Sequence, residues 1–263
     1  LELSLQFQEF LIKDFIKAFI KAFNLVIIPL SETDIFFQPV QDWYKSGKVI
    51  DITPYVDNQN YTVKPGDLFS AIDLGFEKQD TFLSAQFLDQ NARGFGNLKD
   101  DFLNASGEKL SGDVVNVELP FEKPVFEKIA DNVIYGFFTD EKQEEFTPFH
   151  SIFYRKDLSG SPIILTQEDG TTESIDGIIC PVTSENTDTL STNFEFEFDE
   201  FTLQTSLITL FTKYYKDYVD DVFSERRRNY VYESRLPLQV LKQIELNDRL
   251  IIGQRRYIIN SYQ

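Results

Sequence analysis

The segment that decides the fold of this 263-residue sequence is Arg235-Leu-Pro-Leu-Gln-Val-Leu-Lys-Gln-Ile-Glu-Leu-Asn-Asp-Arg-Leu-Ile-Ile-Gly-Gln-Arg-Arg-Tyr-Ile-Ile-Asn260. Two short apolar runs within it, at residues 250–252 and 257–259, are separated by Gly253-Gln254 and its arginine neighbours. Apolar, β-branched runs joined by a two-residue loop with glycine at its first position predict a β-hairpin.

The residues before this hairpin predict how the chain enters it. Pro237 opens a brief helical turn over residues 238–243, where the missing N–H of proline has no cost. Asn247-Asp248 then supplies turn residues that direct the chain into the first strand. The whole segment therefore predicts a folding and docking element, with no catalytic group in it.

Two further segments carry apolar residues at helical spacing. In the first, Lys13, Lys17 and Lys21 lie on the face opposite to apolar residues that recur at three- and four-residue spacing, which are Phe7, Phe10, Leu11, Phe15, Phe19, Ile20 and Phe23. This pattern predicts a long amphipathic helix over Leu5–Phe23, and a similar pattern predicts a second over Thr205–Phe223.

Most of the remaining chain shows the alternation and turn residues of strands. Residues 25–28 and 35–37 predict one hairpin, and the apolar runs on either side of Asp169-Gly170 predict another. The clearest alternation is Phe194-Glu-Phe-Glu-Phe-Asp199, with rings expected on one face and carboxylates on the other. We therefore expect a β-rich α+β fold of antiparallel sheets or partial barrels with two long amphipathic helices.

The order of these elements suggests three regions. Residues 1–120 hold the first helix, its hairpin and further strands, and residues 121–192 form a β-rich middle or insertion region. Residues 193–263 hold a strand, the second helix and the terminal hairpin. Neither boundary has the composition of a flexible linker, and no internal repeat is visible.

Composition limits the classes of function. The net charge of −18 disfavours bound nucleic acid, because non-specific affinity comes from lysine and arginine neutralising phosphates. The single cysteine excludes an internal disulfide, and no apolar run approaches the roughly 20 residues of a membrane span. Methionine is absent, even at position 1, so we expect the sequence to belong to a longer product. The 26 phenylalanines and 12 tyrosines favour large subunit contacts.

No constellation of residues predicts catalysis, and we expect a protein that is not an enzyme. The acidic row Glu195, Glu197 and Asp199 could suggest paired catalytic carboxylates, but a solvated strand face explains it more simply. His150 is the only histidine and indicates neither a metal site nor a Ser–His pair. The glycines of Arg93-Gly-Phe-Gly96 indicate a loop, without the strand–loop–helix context of a phosphate site. No cofactor or metal is expected.

The residues just described resemble a family. The helix of residues 7–23, followed by Leu25-Val-Ile-Ile-Pro29 and Ile35-Phe-Phe-Gln-Pro39, resembles the helix–hairpin of phage tail hub and baseplate hub proteins. The segment Asp42-Trp-Tyr-Lys-Ser-Gly47 and the following Ile50-Asp-Ile52 are similar to what comes next in hub-like proteins of tailed phages.

The terminal segment described first is similar to the closing strands of the same group, whereas residues 89–192 carry no resemblance. The resemblance implies a virion protein of the phage tail, typically a trimeric ring that joins the tail tube to the central spike or fibres. Its partners would be further copies of itself and other tail proteins, with DNA only in transit and no membrane.

These expectations assign residues to surfaces. We expect subunit contacts from Phe10, Phe15, the run Arg226, Arg227 and Arg228, or Tyr257 of the terminal hairpin. The Arg226–Arg228 run is also expected to cap the C-terminal end of the second helix.

The carboxylates of Glu195, Glu197 and Asp199 are expected to face a channel, where they would repel passing DNA, or else to keep an outer surface soluble. The alternative function is a carbohydrate-binding or carbohydrate-cleaving β-protein of a virion or cell surface that uses exposed Trp43, Tyr44 and nearby acids.

Overall fold

The computed structural model describes residues 10–78, 80–125, 127–130, 133–135, 149–157, 163–167, 169–175, 179–199 and 204–261. The protein is an α+β, β-rich chain, with 37% strand and 23% helix. Its sheets are small and mostly antiparallel, and none of those in the described ranges closes into a barrel. The β-rich α+β class expected from the alternating pattern is thereby confirmed, whereas the two long helices are not.

Five α-helices and eighteen strands are seen in the described part of the chain. The helices are α1 Ile12–Ala22, α2 Val40–Ser46, α3 Phe82–Asn91, α4 Lys216–Val222 and α5 Leu238–Leu241. The strands are β1 Leu25–Pro29, β2 Ile35–Pro39, β3 Val49–Asp51, β4 Val56–Pro65, β5 Phe69–Lys78, β6 Leu98–Asp101, β7 Asp113–Glu122, β8 Glu127–Ala130, β9 Val133–Tyr135, β10 Tyr154–Asp157, β11 Ile163–Thr166, β12 Thr172–Ile175, β13 Ile179–Val182, β14 Phe198–Asp199, β15 Gln204–Thr205, β16 Arg228–Ser234, β17 Arg249–Ile252 and β18 Arg255–Ile258.

These strands form sheets of two or three members. The three-stranded sheets have the orders β6-β5-β7 and β18-β17-β3, and the two-stranded sheets are β1-β2, β4-β16, β8-β9, β10-β13, β11-β12 and β14-β15. The predicted hairpins β1-β2, β11-β12 and β17-β18 are confirmed, each between strands that follow one another in the chain. Between the named strands, the β3-β17 pair is parallel.

The chain divides into two compact units, each built from separated segments. Unit one consists of Leu1–Ala22, Ala71–Phe102 and Val114–Lys213, and unit two of Phe23–Ser70, Leu103–Asp113 and Tyr214–Gln263. The boundaries of these units differ from the sequence-based boundaries at 120 and 192, which stay predictions. The largest fully buried apolar side chains all belong to unit one: Phe121, Phe194, Ile72, Leu74 and Leu119.

The first long helix is described from Ile12 to Ala22, and the predicted part before residue 10 lies outside the described residues. Its buried positions are the small residues Ala18 and Ala22. Its large apolar side chains are exposed instead, most of all Ile12 at 78%. Among the described helices, none combines the length and apolarity that a membrane crossing requires.

The second long helix is shorter than the predicted Thr205–Phe223. A π-helical turn over Phe211–Tyr215 leads into α4, and Thr205 belongs to β15. The side chains of Thr209 and Thr212 accept hydrogen bonds from each other's backbone N–H, at 3.1 Å and 2.9 Å. This reciprocal cap satisfies two N–H groups that a helix leaves open at its start, so helical structure begins after Thr209.

The terminal segment is tied to the residues around Lys48. Both carboxylate oxygens of Asp248, a buried residue, accept backbone hydrogen bonds: Oδ1 from the N–H of Lys48 at 2.7 Å, and Oδ2 from that of Glu245 at 2.8 Å. Gly47 lies so close that an added Cβ would come within 1.9 Å of the Asn247 carbonyl oxygen. The side chain of Asp248 therefore fixes the entry of β17 beside β3.

We expect Asp248→Ala to lower the free energy of unfolding by roughly 2–4 kcal/mol, because it leaves two backbone donors without an acceptor. Asp248→Asn should lower the free energy of unfolding less than Asp248→Ala does, since its amide keeps one acceptor oxygen. Urea titration followed by circular dichroism measures the difference. The control is Asp57→Ala, whose carboxylate accepts similar bonds at an exposed position of β4 and whose loss should cost much less. Equal losses for Asp57→Ala and Asp248→Ala would contradict the role of Asp248.

Candidate functional site

The two phenylalanines predicted for an interface lie in or beside α1 of unit one. The ring of Phe10 is half-buried and stacks on His150, with ring centroids 4.9 Å apart and edge contacts to Phe121 and Phe149. Phe15 is 45% exposed and packs against Phe10 on one side. Phe10 thus serves mainly the packing of its own unit, whereas Phe15 keeps an open surface, and a subunit contact through either stays a prediction.

The predicted arginine run follows α4 in unit two. The guanidinium of Arg227 donates to the carbonyl oxygen of Val222 at 3.1 Å, which confirms the expected cap at the end of that helix. Arg228 donates to the carbonyls of Glu225 and Arg227, and Arg226 is exposed. A contact of this run with another subunit is untested.

The acidic row predicted over Phe194–Asp199 is wrong as a strand face. Only Phe198 and Asp199 are in a strand, Phe196 is exposed, and the side chain of Glu197 is buried with 6% exposure. Glu197 therefore cannot contribute to a channel wall. The carboxylate of Glu195 accepts a bond from the backbone N–H of Phe196 at an exposed position, and the side chain of Asp199 lies outside what the structure describes.

Glu197 turns inward because unit one supplies a binding site for its carboxylate. Arg93 donates to both of its oxygens, one of them at 3.2 Å, and the N–H of Gly96 donates to Oε1 at 2.9 Å. Hydrogen bonding to Glu197 holds the pKa of Arg93 above its usual range. The loop from Arg93 to Gly96, expected to be a plain loop, thus binds an anion supplied by its own chain.

A lysine is buried near this ion pair. Lys123 is 3% exposed, its ammonium donates to Thr192 Oγ1 at 2.7 Å, and it lies 5.0 Å from the centroid of the Phe76 ring. Burial lowers the pKa of Lys123 to about 7, although the nearby negative charge of Glu197 acts in the opposite direction. Because its contacts are a hydroxyl and a ring, the ammonium contributes no open binding surface.

Trp43 and Tyr44 do not form the exposed aromatic platform that the carbohydrate alternative requires. Both lie in α2 and are half-buried, with ring centroids 5.0 Å apart. The guanidinium of Arg249 covers the Tyr44 ring at 5.1 Å, and the Trp43 carbonyl accepts a bond from Asn247. The sequence could not reveal these contacts, because Arg249 and Asn247 lie about 200 positions away.

A further candidate site is an open groove within unit two, which we name the Arg–Tyr groove. Its volume is about 2040 Å³, and it is lined by parts of α2, α4, β16, β17 and β18 and by residues 52 and 54–57. The cations along it are Lys45, Arg227, Arg228, Arg235, Arg249, Arg255 and Arg256, and the acids are Asp57, Asp217, Asp220, Asp221 and Glu233.

Tyrosines form one wall of the Arg–Tyr groove. Tyr230 and Tyr232 of β16 lie with their ring planes 10° apart, and the Tyr232 hydroxyl bonds that of Tyr257 at 2.8 Å. Burial, aided by this hydrogen bond, raises the pKa of Tyr232 above its usual range. Arg255 donates to the Tyr230 hydroxyl at 3.1 Å. The Tyr232 hydroxyl therefore stays neutral at ordinary pH and adds no negative charge to the groove.

Two acids of the Arg–Tyr groove form ion pairs with lysines, whereas its arginines form none with the described carboxylates. Lys45 lies 3.8 Å from Asp217, and Lys216 lies 3.0 Å from Asp220. Within the described ranges, none of the six arginines has a carboxylate oxygen within ion-pair distance. Sequence analysis missed this groove, although a signal existed: seven of the nine arginines lie between residues 226 and 256.

In the part of the chain that the structure describes, no group of three or more histidine, cysteine, aspartate or glutamate side chains could hold a metal ion. No family model, no curated protein and no solved structure matches this chain. The site must therefore be interpreted from its own residues.

We expect Arg93→Ala to destabilise unit one by roughly 2–3 kcal/mol, because it leaves the buried carboxylate of Glu197 without its charge partner. The figure is below that for a fully buried pair, since Arg93 keeps 30% exposure. Chemical denaturation measures the loss. The exposed pair Lys216–Asp220 provides the control, and Lys216→Ala should cost less than ~0.5 kcal/mol. A loss from Arg93→Ala no larger than that of the control would contradict the role of the ion pair.

We expect Lys123→Met to stabilise the protein at pH 6 by roughly 1–3 kcal/mol, because it removes a buried charge. Below pH 7 the lysine is protonated in both the folded and the unfolded chain, so the folded chain bears the full free-energy cost of a buried charge. Between pH 7 and about 10.4 only the unfolded chain binds it, so native stability rises with pH and the gain of the variant shrinks.

The measurement is the free energy of unfolding of both chains at pH 6, 8 and 9.5. Lys13→Met, on the exposed side of α1, serves as the control and should give a small difference at each pH. A gain from Lys123→Met that is constant with pH would show that the ammonium is not desolvated in the folded protein.

Proposed function

We propose that this protein is a structural component of a phage tail, a hub or baseplate ring built from several copies of the chain. In this role it would join the tail tube to a central spike or to fibres, acting by assembly without catalysis. The observation that carries the proposal is the amount of large apolar side chain left open to solvent on the single chain. Contiguous apolar surface of this kind marks contacts between proteins.

The first such surface is on α1 in unit one. Leu11, Ile12, Phe15, Ile16 and Phe19 are all exposed, whereas the buried residues of the helix are alanines. A helix with its large apolar residues facing solvent becomes more stable when something covers them, since each such side chain gains about 1.5–3 kcal/mol on burial. A neighbouring copy of the chain would provide that cover.

The second surface is the β1-β2 hairpin in unit two. Ile27, Leu30, Ile35, Phe36 and Phe37 are exposed on a sheet of only two strands. An isolated two-stranded hairpin is marginal in water, and its open edges are suited to pairing with another chain. The hairpin supports a role in assembly in the same way as α1.

The charge of the chain supports the same role. At −18, its surface repels a DNA backbone, and a protein beside the path of an ejected genome must not retain it. Of the described side chains in the predicted acidic row, Glu195 remains available for such a wall. The homo-oligomer that we propose is a trimer, and its place is the virion.

A second candidate is a carbohydrate-binding or carbohydrate-cleaving β-protein, as the sequence also suggested. The observation that favours it is the tyrosine wall of the Arg–Tyr groove, because aromatic rings present flat apolar faces to sugars. Release of reducing sugar from polysaccharide, lost in Glu→Gln variants, would favour this candidate over the structural one.

We expect the purified chain to sediment as a homo-oligomer, and Ile12→Ser/Ile16→Ser to raise its dissociation constant at least roughly tenfold, because burial of both side chains is lost. Sedimentation velocity over a concentration series measures both. Leu207→Ser changes one exposed leucine outside α1 and the hairpin, and it should leave assembly unchanged. A native chain that stays monomeric at high concentration and forms no ring in electron micrographs would contradict the proposed role.

A further inference from the structure

The two units carry very different charge. Unit one has 28 aspartates and glutamates against 12 lysines and arginines, a net −16. Unit two has 15 against 13, a net −2. The acidic surplus of the chain is therefore almost entirely a property of unit one, where Glu77, Asp89, Asp100, Glu118 and Asp188 are among the exposed carboxylates.

Within unit two the Arg–Tyr groove has the opposite sign. Seven cations line it against five acids, and two of those acids already face lysines. The six arginines lie along an open groove and lack carboxylate partners among the described residues, which is the arrangement expected for binding an anionic surface.

The size and side chains of the Arg–Tyr groove favour a protein as its occupant. Its volume of about 2040 Å³ exceeds the roughly 300–1,000 Å³ typical of small-molecule pockets, and it is open to solvent. Tyrosine and arginine are the side chains that contribute most to protein interfaces, because they combine apolar area with hydrogen bonding.

We propose that the Arg–Tyr groove of one copy binds the acidic unit one of a second copy, in a head-to-tail contact. This rests on the proposed ring and specifies how its subunits meet. A contact between unlike surfaces repeats around a closed ring such as a trimer, whereas a contact between two grooves would pair like charges and would close a dimer.

Nucleic acid is the competing occupant, because arginines and aromatic rings also bind single strands. The charges favour protein: Asp221 and Glu233 lie among the arginines of the groove, and the rest of the molecule carries a strong negative charge. Both would repel phosphates, whereas an acidic protein surface can present its carboxylates selectively to the arginines.

Arg235→Glu/Arg256→Glu tests the proposal. Both side chains are exposed, so their replacement removes charge from the groove while the packing around it is kept. We expect self-association at 50 mM salt to weaken by roughly 100-fold, and association of the native chain to weaken as salt rises. Lys64→Glu/Lys242→Glu is the matched control, with the same change of charge on exposed residues of unit two outside the groove lining. It should weaken association by less than roughly threefold.

A mixing experiment tests the direction of the contact. The Arg235→Glu/Arg256→Glu chain keeps its acidic unit one, so a tagged native chain should still capture it. Because its own groove no longer binds, no further copy can be added to it, and assembly should stop there. Added in excess, it is expected to convert native oligomers into smaller species in sedimentation. If a contact joined two grooves, the variant would not be captured.

The outcomes separate this proposal from the proposed function. A native chain that is monomeric contradicts the ring, and with it the head-to-tail contact. A stable oligomer that is unchanged by Arg235→Glu/Arg256→Glu leaves the ring standing and overturns the groove contact alone. Binding of a fluorescent oligothymidine that this variant abolishes, with assembly unaffected, would assign the groove to nucleic acid instead.

Discussion

The parallel pairing of β3 with β17 joins two segments of unit two that lie about 200 residues apart. Asp248 makes the junction specific, because its carboxylate accepts one backbone bond from Lys48 and another from its own turn. Gly47 permits the close approach, since any side chain there would collide with the Asn247 carbonyl. Unit two has few buried apolar side chains, so its stability depends more on hydrogen bonds such as those of this junction.

The Arg–Tyr groove depends on the same junction. Once β17 is fixed beside β3, its hairpin partner β18 brings Tyr257 against Tyr232 of β16, and Arg255 against Tyr230. Neither β16 nor β18 has a second strand partner in the described part of the chain, so their outer edges stay open. The arrangement gives a small unit a wide, positively charged surface without requiring the arginines to be buried.

Unit one follows a different principle, since it places charged groups inside a larger apolar core. Arg93 and Gly96 hold the carboxylate of Glu197, and Thr192 receives the ammonium of Lys123. Burying charge lowers stability unless each group is paired, but it can make one arrangement of the chain preferable to others. Most of the other carboxylates whose side chains are described in unit one are exposed, and the unit as a whole is acidic.

The sequence by itself determined the elements whose signals are local. The hairpins β1-β2, β11-β12 and β17-β18 and the helix α1 were predictable, because turn residues and apolar periodicity act over a few positions. Only the tertiary structure decided which distant strands pair, as in β3-β17 and β4-β16, because their partners compete with every other exposed edge. It also turned Glu197 inward against the alternation of its neighbours, since Arg93 lies 104 positions away. The arginines of the groove become one surface for the same reason: several elements must fold before their charges meet.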